Sequence, residues 1–220
     1  MKYIELKEYL RKIGEEKFAS FSKTLSNSDY LVLGVKNPVL RKLIKEHKND
    51  EELDPNDFEI GKYLEIDFIY FGLSLIRLKD IKEQLSFLKD KIRHAKSWAI
   101  TDCVSTYLKK ISFEDFFKFY KSSYQSKYIY ERRMAYVLAL KQCKDERILK
   151  ILPLMTLHEE YMVMMAEAWF LSVLALRYED EVFSYLENTD DLNLKRKTIS
   201  KISDSFRFDT TSKERFKSLR

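Results

Sequence analysis

Apolar residues recur along most of the chain at intervals of three and four, the spacing that gathers them on one face of a helix. In the opening segment Tyr3, Leu6, Tyr9, Leu10 and Ile13 form such a stripe, which predicts an amphipathic helix ending near Gly14. Asn37-Pro38 suits a helix start, because Pro at the first position gives up an N–H that has no partner there. Val39, Leu40, Leu43 and Ile44 then supply the buried stripe, and Asp54-Pro55 predicts the next start. Further openings fall near Asp57, Ser97, Lys127, Glu159 and Leu192, at intervals of 40, 30, 32 and 33 residues. Each interval is long enough for two helices and their turns. The most apolar stretch, Tyr161 to Leu176, has 16 residues and contains Glu167 and Ser172. It is too short and too polar for a bilayer span of about 20 residues and reads as a buried helix. The segment from Asn193 to Arg220 reads as a terminal hairpin with a frayed end.

This spacing resembles that of HEAT-type repeats, in which a helical hairpin stacks on its neighbours to complete a core. The expected fold is all-α, an α-α superhelix of five or six antiparallel pairs with a concave face, formed by residues 1–220 as a single domain. Internal sequence identity between the repeats is nearly absent, so periodicity alone leaves an irregular helical bundle open.

Composition narrows the choice. Hydrophobic residues make up 45%, charged residues 34% and aromatics 14% of 220 residues, the profile of a folded globular chain. Only 4 Gly and 3 Pro occur, which argues against a many-stranded β fold and against a glycine-rich phosphate loop. The balance of 40 Lys+Arg against 35 Asp+Glu gives a net charge of +5, which permits a polyanionic partner without requiring one. Cys103 and Cys143 form no metal-ligand spacing and no disulfide framework, and the charged N-terminal segment lacks an apolar signal core. A cytoplasmic, membrane-free monomer is expected.

Candidate chemistry is sparse. His47, His94 and His158 are scattered, which leaves no two-histidine metal site and no Ser-His-Asp arrangement in view. The expectation is no metal and no cofactor. The two cysteines sit in apolar helical segments, where a thiol usually acts as a small hydrophobe. In Ser97-Trp98-Ala99-Ile100-Thr101-Asp102 the Trp and the Asp stand four apart, so on a helix they share a face. That pair suits a grip on a sugar; the alternative is a half-buried Trp beside a solvated Asp. Arg132 and Arg133 precede the apolar run Met134 to Leu140, and one of them must point inward. An Arg there suits a phosphate or carboxylate, or else an ion pair with Glu131 or a neighbouring helix. Trp169 lies in the most apolar helix, where packing in the core is the simplest role.

From about Leu25 to Phe208 the chain resembles the AlkD-like alkylpurine DNA glycosylases of the DNA alkylation repair enzyme group. The first landmark is Tyr30-Leu31-Val32-Leu33-Gly34-Val35-Lys36-Asn37-Pro38 followed by Leu40-Arg41-Lys42. Trp98 and Asp102 stand at the spacing of the family's catalytic Trp and Asp, and Arg133 falls on its active-site Arg. Trp169, in Ala166-Glu167-Ala168-Trp169, matches the family's second Trp. The chain departs from the pattern at Met165 and Ser172, where the family has Lys and Arg, and at Leu25, where it has an aromatic.

The resemblance implies a HEAT-like solenoid that holds duplex DNA and excises cationic lesions such as 3-methyladenine and 7-methylguanine. It implies Asp102 as the electrostatic stabiliser of the sugar cation, Trp98 and Trp169 as its aromatic borders, and Arg133 as a phosphate holder. Arg41, Lys42, Arg132, Lys195, Arg196, Lys197 and Lys201 are the expected DNA contacts, sharing the concave face with the catalytic set. A second reading keeps the fold and drops the chemistry: a non-catalytic repeat module that binds nucleic acid weakly or binds a protein.

Overall fold

The computed structural model describes residues 1–26, 28–156 and 159–220. Its described regular elements are helical, and Leu31 and Tyr63 make one isolated parallel bridge. The chain divides into two compact units, Met1–Ile111 and Ser112–Arg220.

The first unit holds α1 (Tyr3–Ile13), α2 (Glu16–Ser26), α3 (Asn37–Glu46), α4 (Leu64–Arg77), α5 (Ile81–Lys91) and α6 (Trp98–Val104). The stripe of α1 and its end at Gly14 are as expected, and α3 starts at Asn37-Pro38. At Asp54-Pro55 the expected helix is a single turn, Pro55–Asp57, capped by the Asp54 side chain. Helix α4 begins seven residues beyond Asp57 because the chain first extends to bury Phe58 and then turns at Gly61, whose φ is +82°. Once started, α4 is buried on nearly every side from Glu65 to Leu73. It packs between α3 and α6 and forms the centre of this unit.

A strap, residues 30–36, crosses between α2 and α3. Glu65, itself buried, accepts hydrogen bonds from the backbone N–H of Leu33 at 2.9 Å, Gly34 at 2.8 Å and Val35 at 3.3 Å. Gly34 has φ +84°, and a Cβ there would lie 2.2 Å from the Glu15 carbonyl oxygen, so conformation and space both demand glycine. Across the same contact Glu15 N–H donates to Gly34 O at 3.1 Å. The Leu33-Gly34-Val35 landmark is therefore the place where the α1–α2 junction docks on the strap.

The second unit holds α7 (Phe113–Ser123), α8 (Ile129–Ala139), α9 (Tyr161–Leu174), α10 (Glu179–Asn188), α11 (Leu192–Asp204) and α12 (Thr210–Lys217). Helices α8, α9 and α11 start within two residues of the predicted openings at Lys127, Glu159 and Leu192. They stack in sequence, α8 on α9 and α9 on α11, as repeat architecture requires. Helix α9 is the apolar centre here, as α4 is in the first unit. The expected frayed end is instead pinned. Phe216 is fully buried against Phe183 and Phe208, and Arg215 pairs with Glu179 at 3.0 Å and Asp180 at 2.7 Å. Burying one Phe contributes about 1.5–3 kcal/mol, which outweighs the fraying of an eight-residue helix.

Candidate functional site

Helix α6 starts because Ser97 caps it: the Ser97 hydroxyl accepts from the Ala99 N–H at 3.2 Å. Ile100, Thr101 and Val104 face the core, while Trp98, Ala99, Asp102 and Cys103 form a half-exposed stripe. Trp98 and Asp102 thus share a face. The Trp98 indole Nε1–H donates to the Leu25 carbonyl at 3.0 Å, so the last turn of α2 sets the ring's orientation. The ring also lines a cavity of about 150 Å³ together with Phe18, Phe21, Leu25, Val35 and Phe68. Thr101 Oγ1 lies 2.9 Å from the Trp98 carbonyl and 3.0 Å from Asp102 Oδ1, which ties the carboxylate to the helix that bears it. A half-buried carboxylate beside an aromatic face is suited to stabilise a positive charge brought against it.

Arg41 reaches this neighbourhood from α3. Its guanidinium donates to Thr106 Oγ1 at 3.1 Å, just beyond α6. Burial pushes the Cys103 thiol up, and the Arg41 charge pulls it partly back. Cys103 is thus half-buried and protonated at neutral pH, while Cys143 is buried, with its thiol pushed up to about 12 by burial. Lys42 does not join this group. It is exposed and lies 3.7 Å from Glu46 on its own helix.

In the second unit the arginine pair divides its tasks. Arg132 forms an ion pair with Glu160, the residue before α9, which realises the ion pair to a neighbouring helix. Arg133 is the inward one, only 5% exposed, and donates to the Met162 carbonyl at 2.6 Å in the first turn of α9. On α9, Tyr161, Met165 and Trp169 follow one another at four-residue spacing on its more exposed side, with Trp169 half-buried. Lys197 of α11 sits 5.7 Å from the Tyr161 ring centre. Arg133 and Lys197 therefore flank the same turn of α9. Arg196 is exposed, and Lys195 and Lys201 are half-buried on α11, Lys195 lying 3.4 Å from the Glu187 carbonyl.

Among the described residues four carboxylates are buried, Glu65 and Asp67 in α4, Glu131 in α8 and Glu167 in α9, and of these the sequence reading places only Glu167 in a buried helix. Burial pushes the Glu167 carboxyl up to about 8, against the pull of a hydrogen bond with Tyr136. The available signal was an acidic residue inside an otherwise apolar helix, since such a helix leaves no solvated face for it. Of the histidines, His47 lies 2.8 Å from Asp50 and His94 lies 3.3 Å from Arg93 Nε. His158 lies outside the described residues. Among the described residues no three His, Cys, Asp or Glu side chains are grouped to hold a metal, and no helix is long and apolar enough to cross a membrane.

In comparison with known families, the family model described as DNA alkylation repair enzyme matches residues 6–203. No curated protein matches the sequence significantly.

Proposed function

Since the chain belongs to the family of DNA alkylation repair enzymes, we propose that it repairs alkylated duplex DNA as a glycosylase, releasing cationic purines such as 3-methyladenine and 7-methylguanine. The observation that carries this reading is the Trp98–Asp102 pair on the half-exposed stripe of α6. An N-alkylated purine already bears a positive charge, so its C1′–N bond can break without a general acid. The bonding electrons go to the base, which leaves neutral, and the positive charge passes to the deoxyribose. Water then adds at C1′ and loses a proton, giving an abasic site. In this scheme Asp102 stabilises the sugar cation electrostatically and the Trp98 face borders it.

Trp169 is assigned the same kind of contact, an aromatic face against a sugar of the DNA. Arg133 is assigned a backbone phosphate, and Arg41, Lys42, Lys195, Arg196, Lys197 and Lys201 supply charge for the rest of the duplex. Arg132 contributes least in this scheme, because Glu160 already engages it. The scheme needs one copy of the chain and no added cofactor, acting in the cytoplasm.

A second reading, a non-catalytic module, is favoured by the burial of Arg133 and by Met165 and Ser172 standing where cations are expected. One assay separates the two. Purified protein in excess over duplex DNA bearing a single 7-methylguanine should produce abasic sites in a single turnover. Binding of the duplex without abasic-site formation selects the module.

A further inference from the structure

Tyr30 and Asp67 are both buried, and neither belongs to the α6 stripe. The Tyr30 hydroxyl donates to Asp67 Oδ2 at 2.5 Å and accepts from the Lys96 backbone N–H at 3.3 Å. The other carboxylate oxygen, Oδ1, accepts from the Gly61 N–H at 2.8 Å, and the Gly61 carbonyl accepts from Lys96 Nζ at 2.7 Å. The four groups close a ring in which Lys96 is held twice, once by its backbone and once by its side chain. Lys96 immediately precedes Ser97, the cap of α6, and Trp98, its first residue.

We propose that Asp67 is a positioning residue for α6: through Tyr30 and Gly61 it fixes Lys96, and so sets the direction in which Trp98 and Asp102 project. This rests on the glycosylase reading only for its effect on catalysis. The ring responds to the charge of the carboxylate, because a protonated Oδ2 donates to the Tyr30 oxygen where the carboxylate accepted from it, which reverses that hydrogen bond while Oδ1 still accepts from the Gly61 N–H. Burial pushes the Asp67 carboxyl up to about 6, while the hydrogen bonds from Tyr30 and Gly61 and the Lys96 charge pull it down. The titratable groups that face it are Tyr30 from the strap, Lys96 from the turn before α6, and Tyr70 on α4 itself. A neutral ring below about pH 6 and a charged one above it should place Trp98 differently.

The test uses the two indole N–H resonances of ¹⁵N-labelled full-length protein, since the sequence contains 2 Trp. In the wild type the Trp98 resonance should shift with an apparent pKa near 6, and the Trp169 resonance should not follow it. Asp67→Asn and Tyr30→Phe should each abolish that titration; histidine titration is common to all three proteins and cancels in the comparison. Single-turnover excision should fall about tenfold in both variants with DNA affinity unchanged, and the acid limb of the wild-type pH–rate profile should flatten. A wild-type Trp98 resonance that stays fixed between pH 5 and 7.5 overturns the proposal without any variant. A shift that persists in Asp67→Asn overturns it too. A titrating Trp98 in a protein that excises nothing leaves the ring in place and removes the glycosylase reading instead.

Discussion

Trp98 of α6 donates its indole N–H to the backbone carbonyl of Leu25 at the end of α2, 3.0 Å away. Because the acceptor is a main-chain oxygen, the anchor does not depend on which side chain stands at position 25. Trp98→Phe keeps a ring face and removes the anchor, and should slow single-turnover excision by roughly tenfold. Its stability should drop by no more than about 1 kcal/mol, since the bond is solvent-accessible. Excision rate and thermal midpoint measured on the same preparation check both halves.

Asp102→Asn preserves size and hydrogen-bonding reach while removing the charge. Excision should slow by on the order of 10²- to 10³-fold, the loss typical of one electrostatic stabiliser. Affinity for duplex DNA should stay level or rise, because a carboxylate facing a polyanion opposes binding. Fluorescence-anisotropy titration beside the excision assay distinguishes these effects, and full activity in the variant would remove Asp102 from the chemistry.

Arg133→Ala addresses binding. If the guanidinium neutralises one phosphate, the slope of log K against log salt should become shallower by about 0.9. The same change removes the donor to the Met162 carbonyl, so stability should fall as well, by about 1–3 kcal/mol, read as a lower thermal midpoint. A destabilised variant whose salt slope equals that of the wild type would mark Arg133 as a brace between α8 and α9.

Glu167 makes stability depend on pH in a defined direction. Its carboxyl stands at about 8 in the folded chain against an ordinary value of 4.5, so between these pH values the unfolded chain releases a proton that the folded chain keeps. The stability from this group is complete below about 4.5 and is lost as pH rises through 8. Glu167→Gln should therefore melt close to the wild type at pH 5 and be more stable by roughly 2 kcal/mol or more at pH 8.5. Thermal melts across that range check the crossover.

What could be read from the sequence was local. Ser97 announced α6 because a cap and the helix it starts are adjacent, and the shared face of Trp98 and Asp102 follows from a four-residue spacing. The openings of α8, α9 and α11 were legible for the same reason. The start of α4 was not, because after a single turn at Pro55–Asp57 the chain extends to bury Phe58 and turns at Gly61 before the helix begins. Contacts that orient the site were hidden too: Trp98 meets Leu25 across 73 positions, and Arg133 meets Met162 across 29. Glu65, Asp67 and Glu167 sit in apolar runs without a one-sided stripe, and their uniform burial depends on which helices flank them. That one arginine of the Arg132-Arg133 pair turns inward was foreseeable; which of the two, and which oxygen it would meet, was not.

The three strap amides on Glu65 have one more implication. Successive backbone N–H groups converging on a point make a concavity with affinity for anions, the feature through which loops elsewhere hold phosphate. Here the chain fills that concavity with its own carboxylate, at 2.8 to 3.3 Å. The Leu33-Gly34-Val35 segment is thus a receptor already occupied by an internal ligand. It is closed to nucleotide and DNA phosphate alike, and the attraction between amide dipoles and negative charge is used to fasten one part of the chain to another.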